Sequence, residues 1–216
     1  KFYVENKISD DSLAILSDGI KNLTSLRHLG LEFYECNLMT DQGLSYIKDI
    51  IKGLSALDSL KLDFSSCNKI TNDGLIYFKA ATKNLSFLKS LSLNLSYNDN
   101  ISKEGINHLK EALQGLLSLE TLILDFTYCI NFEDEAFHHL TEGIKTMISI
   151  RTLDLCFYNC SKLSDEGLRH FQEATKDLTG LKSLSLNFTN CKKLTDAAFV
   201  SLKHAIQHIP SLIGLA

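Results

Sequence analysis

The stretch "CNKITNDGLIYF" (Cys67–Phe78) returns as "CSKLSDEGLRHF" (Cys160–Phe171) and again as "CKKLTDAAFVSL" (Cys191–Leu202). The second and third copies start 31 residues apart, at Cys160 and Cys191. Working outward, Leu26, Leu57, Leu88, Leu119, Ile150, Leu181 and Leu212 open equivalent segments at that same interval of 31. No insertion breaks the register, and the consensus is LxxLxLxFxxCxxI(S/T)DxGLxxLxxAxxxL. Self-similarity at a fixed period identifies stacked units, each of which cannot bury its apolar face alone. Phe2 precedes Phe33 by the same interval, so the chain is read as beginning partway through a unit.

Each column of the repeat has a physical reading. Leu60, Leu62 and Phe64 alternate with Lys61 and Asp63, which predicts a strand buried on one face. Thr71 then stands where a helix N-cap belongs, and Thr40, Ser102, Ser164 and Thr195 match it. Acids in the following turn (Asp41, Glu104, Asp165, Asp196) suit the helix dipole. Leu75, Phe78, Ala81 and Leu85 follow at helical spacing. A small-residue column (Gly19, Ala81, Ala112, Gly143, Ala174, Ala205) predicts close approach of helix to sheet, with Ile50 as its exception. Asn22, Gly53, Asn84 and Gly115 predict left-handed backbone after the helix.

The connection always runs the same way, so the strands must be parallel. Parallel strands stack about 4.8 Å apart, whereas packed helices need roughly 8–10 Å. The stack therefore bends with strands inside and helices outside. The expected fold is α/β: a leucine-rich repeat solenoid, or horseshoe, of 31-residue strand–loop–helix units with a concave parallel sheet and convex helices. Residues 1–216 form one domain of about seven units, read as a segment of a longer protein whose open ends are covered by further repeats or another subunit.

The CxxITDxGL portion resembles the cysteine-containing repeats of F-box and ribonuclease-inhibitor-like leucine-rich proteins. The 31-residue unit is longer than the roughly 20–29 residues usual for such repeats. The resemblance implies, as one alternative, substrate recognition in an F-box-type ubiquitin ligase; regulation of a larger enzyme such as a kinase is a further alternative to the protein-interaction role that the residues below suggest.

The cysteines share one position: Cys36, Cys67, Cys129, Cys160 and Cys191, with Asn98 in the same slot. What Cys and Asn have in common is bonding to main-chain groups, here expected within each loop. Cys156 is the odd one, predicted on the concave face and partly exposed. Free thiols in this number fit a reducing compartment, and the expected location is cytoplasmic. No CxxC spacing, HExxH, GxSxG or Gly-rich phosphate loop occurs. His108, His139 and His170 share a helix column with Tyr46 and Tyr77, and are read as rings stacked between helices rather than metal ligands. No catalytic residue, cofactor or metal is expected, and the chain is read as not an enzyme.

With a net charge of −4 and 44% hydrophobic residues, no like-charge block suggests nucleic acid, and no apolar run is long enough to span a bilayer. In the column Arg27, Asp58, Lys89, Glu120, Arg151 and Lys182 the signs alternate along the first five members, which predicts cross-strand pairing. Asp49/Lys52, Glu142/Lys145 and Glu173/Lys176 predict local pairs on the outer helix face. The concave columns carry Glu32, Asp63, Asn94, Asp125 and Asp154, bordered by Tyr34, Tyr97, Tyr128 and Tyr158. Acids beside tyrosines predict a protein-binding surface for a partner offering a basic segment.

Overall fold

The computed structural model describes the backbone of residues 2–3 and all of residues 7–216. Among these, strands and helices alternate: β1 (Phe2–Tyr3), α1 (Asp10–Ile20), β2 (His28–Glu32), α2 (Asp41–Lys52), β3 (Ser59–Asp63), α3 (Asn72–Thr82), β4 (Ser90–Asn94) and α4 (Lys103–Gln114). The series continues with β5 (Thr121–Asp125), α5 (Asp134–Ile144), β6 (Thr152–Cys156), α6 (Asp165–Thr175), β7 (Ser183–Asn187), α7 (Asp196–Gln207) and β8 (Gly214–Leu215). The eight strands form one parallel sheet in sequence order. The fold is an α/β repeat solenoid.

From β2 to β8 every strand pairs with its neighbour at the repeat interval, as Leu60 with Leu91 and Leu91 with Leu122. The first strand departs: Phe2 lies beside Leu31 rather than beside Phe33, its counterpart in the sequence period.

The inward strand positions form a continuous core. Leu60, Leu62, Phe64, Leu91, Leu93 and Leu95 are all essentially fully buried. Burying a side chain of this size stabilises by roughly 1.5–3 kcal/mol. Just past each strand, phenyl rings stack along the solenoid: Phe33 on Phe64 at 6.0 Å, Phe126 on Phe157 at 5.6 Å and Phe157 on Phe188 at 5.5 Å between centroids. Leu95 interrupts this spine.

Two polar ladders fasten unit to unit. In the first, the slot shared by Cys and Asn donates to the strand-end carbonyl of the preceding unit. Cys67 Sγ lies 2.9 Å from Phe33 O, Cys129 Sγ 3.1 Å from Leu95 O, Cys160 Sγ 3.1 Å from Phe126 O and Cys191 Sγ 3.1 Å from Phe157 O. Asn98 Nδ2 donates to Phe64 O at 2.8 Å in the same way, and also to Leu95 O and Ser96 O. These side chains thus staple neighbouring units as well as bonding within their own loops, where Asn98 reaches Ser96 O and Cys36 Sγ lies 3.7 Å from Tyr34 O.

The second ladder joins helix starts. Asp41 accepts from both the backbone N–H (2.8 Å) and the hydroxyl (2.7 Å) of Thr71, the N-cap of the next unit. Asp10 with Thr40, Asp134 with Ser164 and Asp165 with Thr195 repeat the arrangement, and Asn72 serves Ser102. The caps Thr40, Thr71, Ser164 and Thr195 in turn accept from the amide two residues on. Ser102 does not; its hydroxyl turns to Glu104. Between α4 and α5 the rung is missing, because Lys103 and Glu133 occupy its positions; Lys103 instead pairs with Glu135 at 2.7 Å.

Several sequence expectations need correcting. Gly53 ends α2 in right-handed backbone (φ −77°, ψ −13°). It is glycine because a Cβ there would come 1.9 Å from Lys21 O. The left-handed residues lie after the strands instead, once per unit: Glu35, Ser66, Tyr97, Tyr128, Asn159 and Asn190, at φ between 53° and 63°. The small column serves helix–helix rather than helix–sheet contact at Gly143, where a Cβ would meet Lys110 and Leu113 of α4.

Among the charges, Arg27 pairs with Asp58 at 2.6 Å, but Arg151 turns to Gly180 O. Glu173–Lys176 (2.6 Å) and Glu142–Lys145 (4.0 Å) form as expected; Asp49 is met by Lys48, its neighbour.

Candidate protein-binding surface

Side chains that point away from the core on β2–β7 line the face opposite the helices. The wider spacing of helices than of strands makes this the inner face of the curve. One column reads Glu32, Asp63, Asn94, Asp125, Cys156 and Asn187, with consecutive members paired across the sheet.

Most of this column is anchored by its own backbone. Asp63 Oδ1 accepts from Ser65 N (2.9 Å) and Ser65 Oγ (2.5 Å), while its Oδ2 accepts from Asn94 Nδ2 (3.1 Å). Asn94, Asp125 and Asn187 each accept from the amide two residues on, closing an Asx turn at the strand end. Glu32 holds Lys61 at 2.7 Å. The acids are therefore pre-oriented, and Glu32 and Asp63 are already engaged. Asp154, half-buried on β6 between Ile123 and Ser185, makes no ion pair or hydrogen bond among the described residues. Ile123 beside it is exposed.

The tyrosines lie where the chain leaves the strands. Tyr97 and Tyr128 stack nearly parallel, with centroids 4.7 Å apart, and Tyr158 tilts against Tyr128 at 5.4 Å. Asn190 Nδ2 donates to the Tyr158 hydroxyl at 3.0 Å. Tyr34 (58% exposed) stands apart from the stack, at the first loop. Its phenol pKa is raised above the usual value, chiefly by its hydrogen bond to Glu35 and slightly by Tyr97. Tyr128 is raised likewise by Tyr158.

The sequence marked these tyrosines by composition but missed their backbone. Tyr97 (φ 61°) and Tyr128 (φ 57°) occupy the left-handed column. Bulky side chains are rare there, because Cβ crowds the carbonyl, at roughly 1–2 kcal/mol for an L-residue. Their N–H groups still bond the next unit, to Thr127 O and Tyr158 O, both at 2.8 Å. The fold therefore imposes the conformation whatever the residue; Asn159 and Asn190, which suit it, were the available signal.

The remaining candidates gather less. Cys156 Sγ lies 3.1 Å from Thr127 Oγ1 and is half-buried, as expected for its column. Burial pushes the Cys67 and Cys129 thiols up to about 12 and raises Cys160 further. Such thiols are poor nucleophiles at neutral pH. His138, rather than His139, packs against His170, at 4.2 Å. Burial lowers the His139 and His170 pKa values. Among the described residues no group of three His, Cys, Asp or Glu side chains could hold a metal ion, and no helix is long and apolar enough to cross a membrane. An apolar cavity of about 720 Å³ opens beside β7, β8 and α7, lined in part by Leu186, Phe188, Leu202 and Ile206.

No family model matches the chain, and no curated protein matches it. Among solved structures, the chain is similar to one described as the crystal structure of the Rad7 and Elc1 complex in yeast. The identity is 16%, the match covers 96% of this chain and 76% of that one, and the TM-score is 0.29. A likeness at that level transfers no activity or partner to this chain.

Proposed function

We propose that this chain is a leucine-rich repeat protein of non-enzymatic type, an interaction scaffold or assembly subunit. It binds an extended, basic segment of a partner protein across the sheet face. The observation that carries this reading is the pre-oriented row of acids and amides on the sheet, bordered by exposed tyrosines. Side chains already held by hydrogen bonds lose little freedom on binding, and tyrosines supply contact area at low entropic loss. Six free thiols, five of them buried, support placing the chain in a reducing compartment such as the cytoplasm.

The test is affinity for an array of lysine- and arginine-containing peptides. Asp154→Lys removes an acid with no structural bond, so the fold is retained. It should weaken the bound peptides roughly tenfold at low salt, with a shallower salt dependence. Glu142→Lys with Glu173→Lys, on the helix side, should change little. Loss of binding in the helix pair with Asp154→Lys unaffected would place the surface on the other side.

A further inference from the structure

Between Tyr34 and Tyr97 lies the one unit whose loop carries only small side chains at the matching positions, Ser65 and Ser66. The two rings rise from strands two apart, and so about 10 Å from each other at their bases. Tyr97 covers one face on Tyr128, which leaves its other side toward Ser66. Tyr34 is 58% exposed and Tyr97 46% exposed, and Tyr97 lies near enough to contribute to the raised phenol pKa of Tyr34. Glu35 stands beside Tyr34, and Asp63 is fixed beneath Ser65 by a 2.5 Å bond to its hydroxyl. The notch thus has aromatic sides, small hydroxyl residues between them, the Glu35 carboxylate beside it and the already engaged Asp63 beneath.

We propose that this notch is a seat for a single arginine side chain of the bound segment, with the guanidinium inserted between Tyr34 and Tyr97 over Ser66. The inference rests on the reading of the sheet face as the site of a basic segment, and it names the anchoring contact. A guanidinium is flat and stacks on aromatic faces at about 3.5–4 Å, so a gap of roughly 10 Å between ring bases admits it. Its attraction to each ring acts within about 6 Å of the centroid. Its planar fork matches a carboxylate, which an ammonium does less well. This seat also explains a bulky residue at a left-handed position: the ring at Tyr97 is needed as a wall.

The experiment is an NMR titration of the whole chain, following tyrosine ring resonances. The probe is a short Gly/Ser peptide carrying one arginine, compared at millimolar concentration with the same peptide carrying neutral citrulline. Saturable shifts at Tyr34 and Tyr97, at least several-fold weaker with citrulline, are expected. Tyr97→Asn should abolish them without disturbing the backbone, since Asn159 and Asn190 hold the same conformation; Tyr97→Phe should keep them. Equal shifts with citrulline, or arginine shifts that persist in Tyr97→Asn, would overturn the seat. Shifts confined to the strands around Asp125 and Asp154 would remove the seat and leave the broader reading standing. No shift anywhere on the sheet face, even with a peptide of several arginines, would overturn both.

Discussion

Two neighbouring columns of the repeat, one residue apart, behave in opposite ways. The buried column (Cys36, Cys67, Asn98, Cys129, Cys160, Cys191) is nearly uniform in side chain. The column just before it (Glu35, Ser66, Tyr97, Tyr128, Asn159, Asn190) is uniform in backbone and varied in side chain. Both are demanded by the same turn. The left-handed residue reverses the chain after the strand, and the next residue is thereby aimed at the carbonyl of the preceding unit. A buried carbonyl accepts only a donor that fits, so that column is restricted to thiol and amide. The left-handed column faces solvent, so its side chains are free to differ. Residues there that fit the backbone badly, Tyr97 and Tyr128, are the ones to suspect of binding.

The largest expected effect breaks the interior side of this comparison. Phe157 stacks on both Phe126 and Phe188 and is fully buried, so Phe157→Ala should destabilise by about 3–5 kcal/mol in denaturant unfolding. Next comes the staple itself. Cys67→Ala leaves the Phe33 carbonyl without its donor and should destabilise by about 1–3 kcal/mol, while Cys156→Ala should have little effect. Equal melting temperatures for the two would contradict the staple assignment. Asp41→Ala should fall in the same range, because it removes both bonds of a rung to Thr71.

On the exposed side, Tyr97→Asn should leave stability within about 1 kcal/mol. Relief of left-handed crowding offsets the loss of its stack on Tyr128, itself worth about 0.5–1.5 kcal/mol. Its binding of arginine peptides should nevertheless be lost. A mutation that spares stability and removes binding is the signature expected of this column and not of its buried neighbour.

The last expected effect, smallest near neutral pH and growing as the medium becomes alkaline, is a pH dependence. The Cys67 and Cys129 thiols are raised to about 12 by burial, whereas an unfolded thiol ionises near 8.5. The unfolded state therefore releases protons first as pH rises. The stability that the neutral thiols contribute is complete below about pH 8.5 and declines from there toward 12. Under reducing conditions the melting temperature should fall over that window, and less steeply in Cys129→Ala.

Much of this was legible in the sequence because strands repeat by translation. A side chain on a strand stands perpendicular to the stacking direction, so identical positions meet across the sheet, as Leu91 meets Leu122. The same logic fails for helices. In a translational stack a given helix position always faces the same way, so it cannot face its own copy. A forward-facing residue meets a backward-facing one, as His138 meets His170 and Lys79 meets Glu111, both at an interval of 32. That is why a column of His108, His139 and His170 did not predict the ring contact that forms. The Asp–Thr rungs and Cys staples were half legible. Their residue types were read correctly as caps and main-chain donors, but their reach into the neighbouring unit depends on stacking geometry that one unit does not contain. The tyrosines were chosen by composition, and nothing in Glu35, Ser66 or Tyr97 announces a positive φ.

The central claim, that partners dock on the sheet face, is tested most directly by site-specific photo-crosslinking. A photoreactive residue replaces exposed Ile123 on β5 in one variant and Glu142 on α5 in another. Each is irradiated with the best-bound basic peptide of the array. The account predicts a covalent adduct from position 123, competed by unlabelled peptide, and none from position 142. An adduct from position 142 alone would contradict it.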